Sequence, residues 1–218
     1  MSSTPLTEPQ PLDELVAAAD PSSNGAPGAG ESAARELLAV AHAADDDDLE
    51  VEASVWLCIH LLQQGKLREA LDESHDARDR LRGEAPGSRL GAARMELLRT
   101  IALAGSEAGE FDVALGAAQE LAGDPAVHAD AGAALDAAFS LAVCLERMVD
   151  SWQALRILNE AIDRHGDGAP SFPMLYTLNG VVATAIGAYH RMHDIDDGGE
   201  AIDLLITAIA TWHHDHFG

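Results

Sequence analysis

Lysine occurs once in these 218 residues, at Lys66, and cysteine twice, at Cys58 and Cys144. Basic residues number 13 against 37 acidic ones, a formal net charge of −24. A field of that sign repels phosphate backbones and anionic lipid, so direct nucleic-acid or membrane binding is excluded and the partners expected are neutral or basic. Acidity of this kind also simply keeps a protein dispersed. Two cysteines on apolar helical stretches build no disulfide framework and no metal pair. They read as buried, reduced thiols of a cytoplasmic protein. Aromatic residues make up 4% of the chain, and strands favour aromatic and β-branched residues, so the scarcity argues for helix. No apolar run is long enough to span a bilayer, and Met1-Ser2-Ser3-Thr4-Pro5 starts no secretory signal.

Catalytic signatures are missing too. The sequence has no His-Glu-x-x-His, no Cys-x-x-Cys and no Gly-x-Ser-x-Gly, and Gly28 and Gly30 form no phosphate loop because no strand precedes them. No cofactor is expected. The one cluster with ligand chemistry is C-terminal: His190, His193 and Asp194 share a helix face at i, i+3, i+4, and His213 and His216 do the same. A metal-dependent hydrolase built on these groups is the enzymatic alternative. Against it, histidines near helix C-termini interact favourably with the helix dipole without any metal, and the His193-Asp194 pair lacks the upstream His and downstream Asp that HD-type phosphohydrolases need.

What the chain does have is a recurring motif. A large residue and a small neighbour are followed by alanine and then leucine or isoleucine: Leu57-Cys58 leads to Ala70-Leu71, Ile101-Ala102 to Ala114-Leu115, Leu141-Ala142 to Ala154-Leu155, and Ile186-Gly187 to Ala201-Ile202. The offset is 13 residues in three copies and 15 in the fourth, whose loop Ile195-Asp196-Asp197-Gly198-Gly199 is longer. Each alanine starts a set at i, i+4, i+7, such as Ala70, Ser74, Ala77 or Ala114, Ala118, Leu121, which places small residues on one helix face where two helices meet closely. Gly65 and Gly109 stand between the paired helices, where a helix end calls for a left-handed residue. These features predict an all-α chain of stacked helix pairs.

Residues 56–71, Trp56-Leu57-Cys58 through Gly65 to Ala70-Leu71, carry the pattern best, and with them the chain resembles the tetratricopeptide repeat (TPR) family over roughly residues 46–215. Successive motif alanines are 44, 40 and 47 residues apart, longer than the family's repeat of about 34, and Val149-Asp150 replaces the glycine of the third copy. A long-repeat variant fits. The resemblance implies a right-handed superhelix of antiparallel helix pairs and a non-enzymatic protein-interaction or sensory role. Long-repeat variants of this kind occur in input regions of bacterial signalling proteins, ahead of cyclic-di-GMP synthases or transcription activators. The heavy use of Ala, Gly, Arg and Asp suits a GC-rich bacterial genome.

In such a superhelix the first helix of each pair lines the concave face. Projection of the repeat places Val55, Ile59 and Leu62 there, then Arg99 and Leu103, Phe139 and Val143, and Thr184 and Arg191. Glu52, Glu96, Asp136 and Glu146 join them, and an apolar strip with an acidic rim suits an amphipathic helix or peptide carrying basic residues. The carboxylate clamp of chaperone-binding TPR domains does not transfer, since Val55 and Ile59 stand at its first positions.

At the ends, residues 1–30 are rich in Pro, Ser, Gly and Ala and read as a disordered arm ahead of a repeat domain over 31–218. Only residues 12–19 have the pattern of a short helix that could dock. Ser32 is the expected N-cap of a first helix over 33–43, and Asp48 that of the next. The last helix, 200–216, spreads apolar residues including Ile209 and Trp212 over more than one face. A second subunit, making a homodimer, or an output domain carried by further chain is expected to cover it.

Overall fold

The computed structural model describes residues 11–23, 26–84, 88–148 and 150–165. Among them the chain is all helical and no strand occurs. It divides into two compact units, residues 1–97 and 98–218, with the division inside one helix. The boundary expected at residue 30 falls instead within a helix of the first unit.

The first unit contains α1 (Leu12–Ala19), α2 (Pro27–Ala44), α3 (Asp47–Gln63), α4 (Leu67–Arg80) and the first half of α5 (Arg89–Ala108). α1 packs on α2, α2 on α3, and α3 on α4. Leu15, Leu37, Val55, Leu57, Leu61, Leu81 and Leu97 are fully buried, and each large side chain removed from water contributes roughly 1.5–3 kcal/mol. α4 shows how the pattern becomes structure: of its sequence Leu67–Arg80, the residues buried are Ala70, Leu71, Ser74 and Ala77, one face of an otherwise charged helix.

Two expectations for the N-terminal part are corrected. The span 1–30 is not wholly a disordered arm: residues 12–19, its one stretch with the pattern of a docking helix, form α1 with Leu15 and Ala19 buried. α2 starts at Pro27 rather than near Ser32. Proline's locked φ suits the first helical position, where its missing N–H costs nothing, and the Ser32 hydroxyl donates back to the Gly28 carbonyl from inside the helix. At α3 the cap is Asp46, not Asp48: its carboxylate accepts the Leu49 N–H at 3.1 Å. Asp47, Asp48 and Glu50 then fill the first turn, where the helix dipole favours them.

The second unit holds the rest of α5, α6 (Phe111–Ala122), a 3-10 turn (Val127–Ala129), α7 (Ala131–Arg147) and α8 (Ser151–His165). Ala142, Leu145, Ala154 and Leu158 form one apolar cluster, with Leu115, Phe139, Leu141 and Ile157 against it. Leu135, Ala138 and Ala161 form a second. α5 and α6 approach so closely that a Cβ on Gly105 would sit 3.0 Å from the Ala114 Cβ.

One turn is built four times. The N–H of Asp46, Lys66, Glu110 and Asp150 donates to the carbonyl five residues earlier, on Ala41, Leu61, Gly105 and Leu145, at 2.8–3.0 Å. The carbonyls of the same four residues then open the next helix, accepting from Glu50, Ala70, Ala114 and Ala154 at 3.0–3.1 Å. The left-handed residue that the closing bond requires is Asp45 (φ 58°), Gly65 (72°) and Gly109 (81°) in the first three. The motif alanines of copies one to three are therefore the fourth residue after each turn's closing donor. All three are buried, as are Ser74, Ala77, Ala118, Leu121, Leu158 and Ala161 on the same helix faces. The fourth copy lies outside the described residues.

Candidate functional site

The residues proposed for a concave face have unequal surroundings. Val55 is 1% exposed and belongs to the core of the first unit, so it offers no surface there. Ile59 and Leu62 on α3 are half-buried, as are Arg99 and Leu103 on α5 and Phe139 and Val143 on α7. Phe139 leans on the cluster around Leu145 and Leu158. Glu52, projected onto the same face, is engaged by the Arg89 guanidinium through both carboxylate oxygens, which raises the Arg89 pKa. Thr184, Arg191, Ile209 and Trp212 lie outside the described residues, as do His190, His193, Asp194, His213 and His216.

A polar clasp that composition did not reveal joins α1, α2 and α3. His60 lies in the apolar run of α3 and is 4% exposed. Its Nε2 is 2.8 Å from the Ala19 carbonyl at the end of α1. A carbonyl only accepts, so Nε2 carries the proton and satisfies one of the orphan acceptors of that helix end. The imidazole ring packs against Gly30 of α2, where a Cβ would come within 2.2 Å of it. Nδ1 is buried and has no hydrogen-bond partner among the described residues. One turn further along, Gln64 Nε2 donates to the Pro27 carbonyl at 3.3 Å and to Glu31 at 2.9 Å, and Lys66 Nζ donates to the same Glu31 oxygen at 2.6 Å. Arg35 holds the other oxygen at 3.1 Å. Donation from Lys66, then Gln64, lowers the Glu31 pKa to about 2.

In the second unit a cavity of about 130 Å³ is walled by Val127, Ala134, Ala137, Ala138, Ile157 and Ala161, with His128, Glu160, Arg164 and His165 also lining it. Glu160 accepts from Arg164 at 3.1 Å, so the two charges answer each other. Both thiols are buried. Burial pushes the Cys58 pKa up to about 12 and that of Cys144 to about 11, and the Cys144 Sγ lies 3.5 Å from the Ala102 carbonyl. Among the described residues no group of three or more His, Cys, Asp or Glu is placed to hold a metal ion, and no helix is long and apolar enough to cross a membrane.

No family model, curated protein or solved structure matches the chain.

His60 is the functional candidate that sequence reasoning missed. Its signal was a single polar residue within the apolar run Val55–Leu62 of α3, together with a glycine in α2 that no turn requires. Neither says which segment the ring reaches.

Proposed function

We propose that this chain is a non-enzymatic protein-interaction or sensory module, a TPR-like right-handed superhelix of helix pairs that serves as the regulatory input region of a bacterial signalling protein. The observation that carries the reading is the fourfold turn, in which a donor five residues past its acceptor closes one helix and opens the next. Recurrence of one hairpin geometry, with a buried alanine four residues after the closing donor in three of the four turns, is what a stacked-repeat architecture requires, because each pair must bury its face on a neighbour. The half-buried Leu103, Phe139 and Val143 of the second unit supply an apolar strip, and the net charge of −24 favours a partner segment with basic residues.

The test uses the full chain as bait in extracts of its native organism. A specific protein should be captured, and capture should fail for Leu103→Asp and Val143→Asp variants whose helicity and melting match the parent. Capture that both variants retain would remove the strip from the interface.

A further inference from the structure

The α7–α8 pair is packed unequally along its length. Toward the end of α7 and the start of α8, Leu145, Ala154 and Leu158 close the space between the helices. At the opposite end, where α7 begins and α8 finishes, the facing residues are Ala134, Ala137, Ala138 and Ala161. The three on α7 stand at i, i+3, i+4 and share one helix face, and side chains that short do not reach across. Protein interiors leave few voids larger than a water molecule. Here about 130 Å³ stays open, bounded on a third side by the 3-10 turn through Val127. An apolar cavity of about 150 Å³ takes up benzene, so this one has the size of a single small ring or a short branched chain.

The mouth of this cavity is polar and richer in donors than in acceptors. Among the described residues Glu160 is the one carboxylate that lines it, and both its oxygens are committed: Oε2 accepts from Arg164 at 3.1 Å, and Oε1 lies 3.7 Å from Arg156. Two guanidinium groups on one carboxylate leave a positive charge over, and Arg164 keeps N–H donors beyond the one it gives Glu160. His128 from the 3-10 turn and His165 from the end of α8 border the same opening, and even a neutral imidazole has one N–H to donate. The net charge of −24 repels anions at long range, but that field is screened beyond ~8 Å at physiological ionic strength, whereas a guanidinium–carboxylate contact is made at about 2.7–2.9 Å.

We propose that the cavity binds a small monocarboxylate, whose apolar body of about six carbons lies among the alanines while Arg164 holds the carboxylate at the mouth, with His128 and His165 donating beside it. The inference deepens the sensory reading by naming the class of molecule sensed, and it rests on that reading for its role. Leu103 and Val143 of the strip do not line the cavity, so the two sites can fail separately.

The probe is benzoate, titrated into the full chain and followed by calorimetry and amide chemical shifts, with benzyl alcohol and benzylamine as its neutral and cationic counterparts. Benzoate should shift amides in the first half of α7 and the last turn of α8. It should bind about 10-fold more tightly than benzyl alcohol, the ratio that one hydrogen bond to a charged group supplies. Arg164→Gln changes an exposed side chain and leaves Glu160 its Arg156 partner; it should remove that preference while benzyl alcohol binds as before. Ala134→Leu fills the cavity and should abolish binding of both at an unchanged or higher melting temperature; if that variant fails to fold, Arg164→Gln decides alone. No benzoate binding at millimolar concentration, equal benzoate affinity in the parent and Arg164→Gln, or tighter binding of benzylamine overturns the proposal. Partner capture that persists without benzoate binding refutes the cavity site alone, whereas benzoate binding without capture supports the site and refutes the interaction role.

Discussion

Two glycines in neighbouring elements carry opposite consequences for the same substitution. Gly109 closes α5 at φ 81°, a conformation that costs an L-residue roughly 1–2 kcal/mol. Gly116 lies inside α6 with nothing within 4 Å of where its Cβ would be, and there alanine recovers the ~0.5–1 kcal/mol that glycine forfeits in a helix. Urea unfolding should accordingly show Gly109→Ala destabilised and Gly116→Ala stabilised; the same sign for both would contradict the turn geometry. Ala114 tests packing. It is fully buried and faces Gly105 at contact distance, so Ala114→Leu overfills the α5–α6 crossing and should cost about 1–3 kcal/mol. A melting temperature equal to the parent's would show that the crossing has room the structure does not display.

Among the elements, the start of α2 depends on a single carboxylate. Glu31 receives Lys66, Gln64 and Arg35, and its pKa is lowered from 4.5 to about 2. A depressed carboxyl contributes stability that is fully present above its unfolded pKa and lost as pH falls through the folded value. The Glu31 contribution is therefore complete above pH 4.5 and disappears as the pH approaches 2. Glu31→Gln should lower stability at neutral pH and flatten the decline across that acid window, as read from urea midpoints at several pH values. A variant whose acid profile parallels the parent's would show that other carboxylates govern that window. Glu50, engaged by Arg80 at 2.8 Å with His42 3.5 Å away, likewise has a lowered pKa, caused first by Arg80. It ties the first turn of α3 to the last of α4.

Across the whole molecule, 37 acidic residues against 13 basic ones mean that most carboxylates have no cation to meet. Self-repulsion in the compact state opposes folding and is screened by salt, with a Debye length of ~30 Å at 0.01 M and ~3 Å at 1 M. The melting temperature should rise steadily as NaCl is raised across that range, while the affinity for a basic partner falls. A melting temperature that drops with added salt would mean that the attractive pairs, such as Lys66 with Glu31 and Arg89 with Glu52, outweigh the excess negative charge.

Much of the helical plan could be read directly from residue order. Alanine at i with small or apolar residues at i+4 and i+7 identified the buried faces of α4, α6 and α8, because a helix repeats its surface every 3.6 residues whatever it packs against. Gly65 and Gly109 marked their turns because few other residues enter left-handed backbone cheaply. Local rules reached less far where several residues of similar chemistry competed: among four consecutive aspartates, cap geometry selected Asp46, and Pro27 displaced Ser32 as the start of α2. Tertiary structure alone decided that Val55 is core, that the helix legible at residues 12–19 docks on α2, and that His60 reaches the end of α1 across 41 positions of sequence. A contact of that separation leaves no periodic trace. It arises from the space that Gly30 vacates beside the ring, and that space exists only once α2 and α3 have packed.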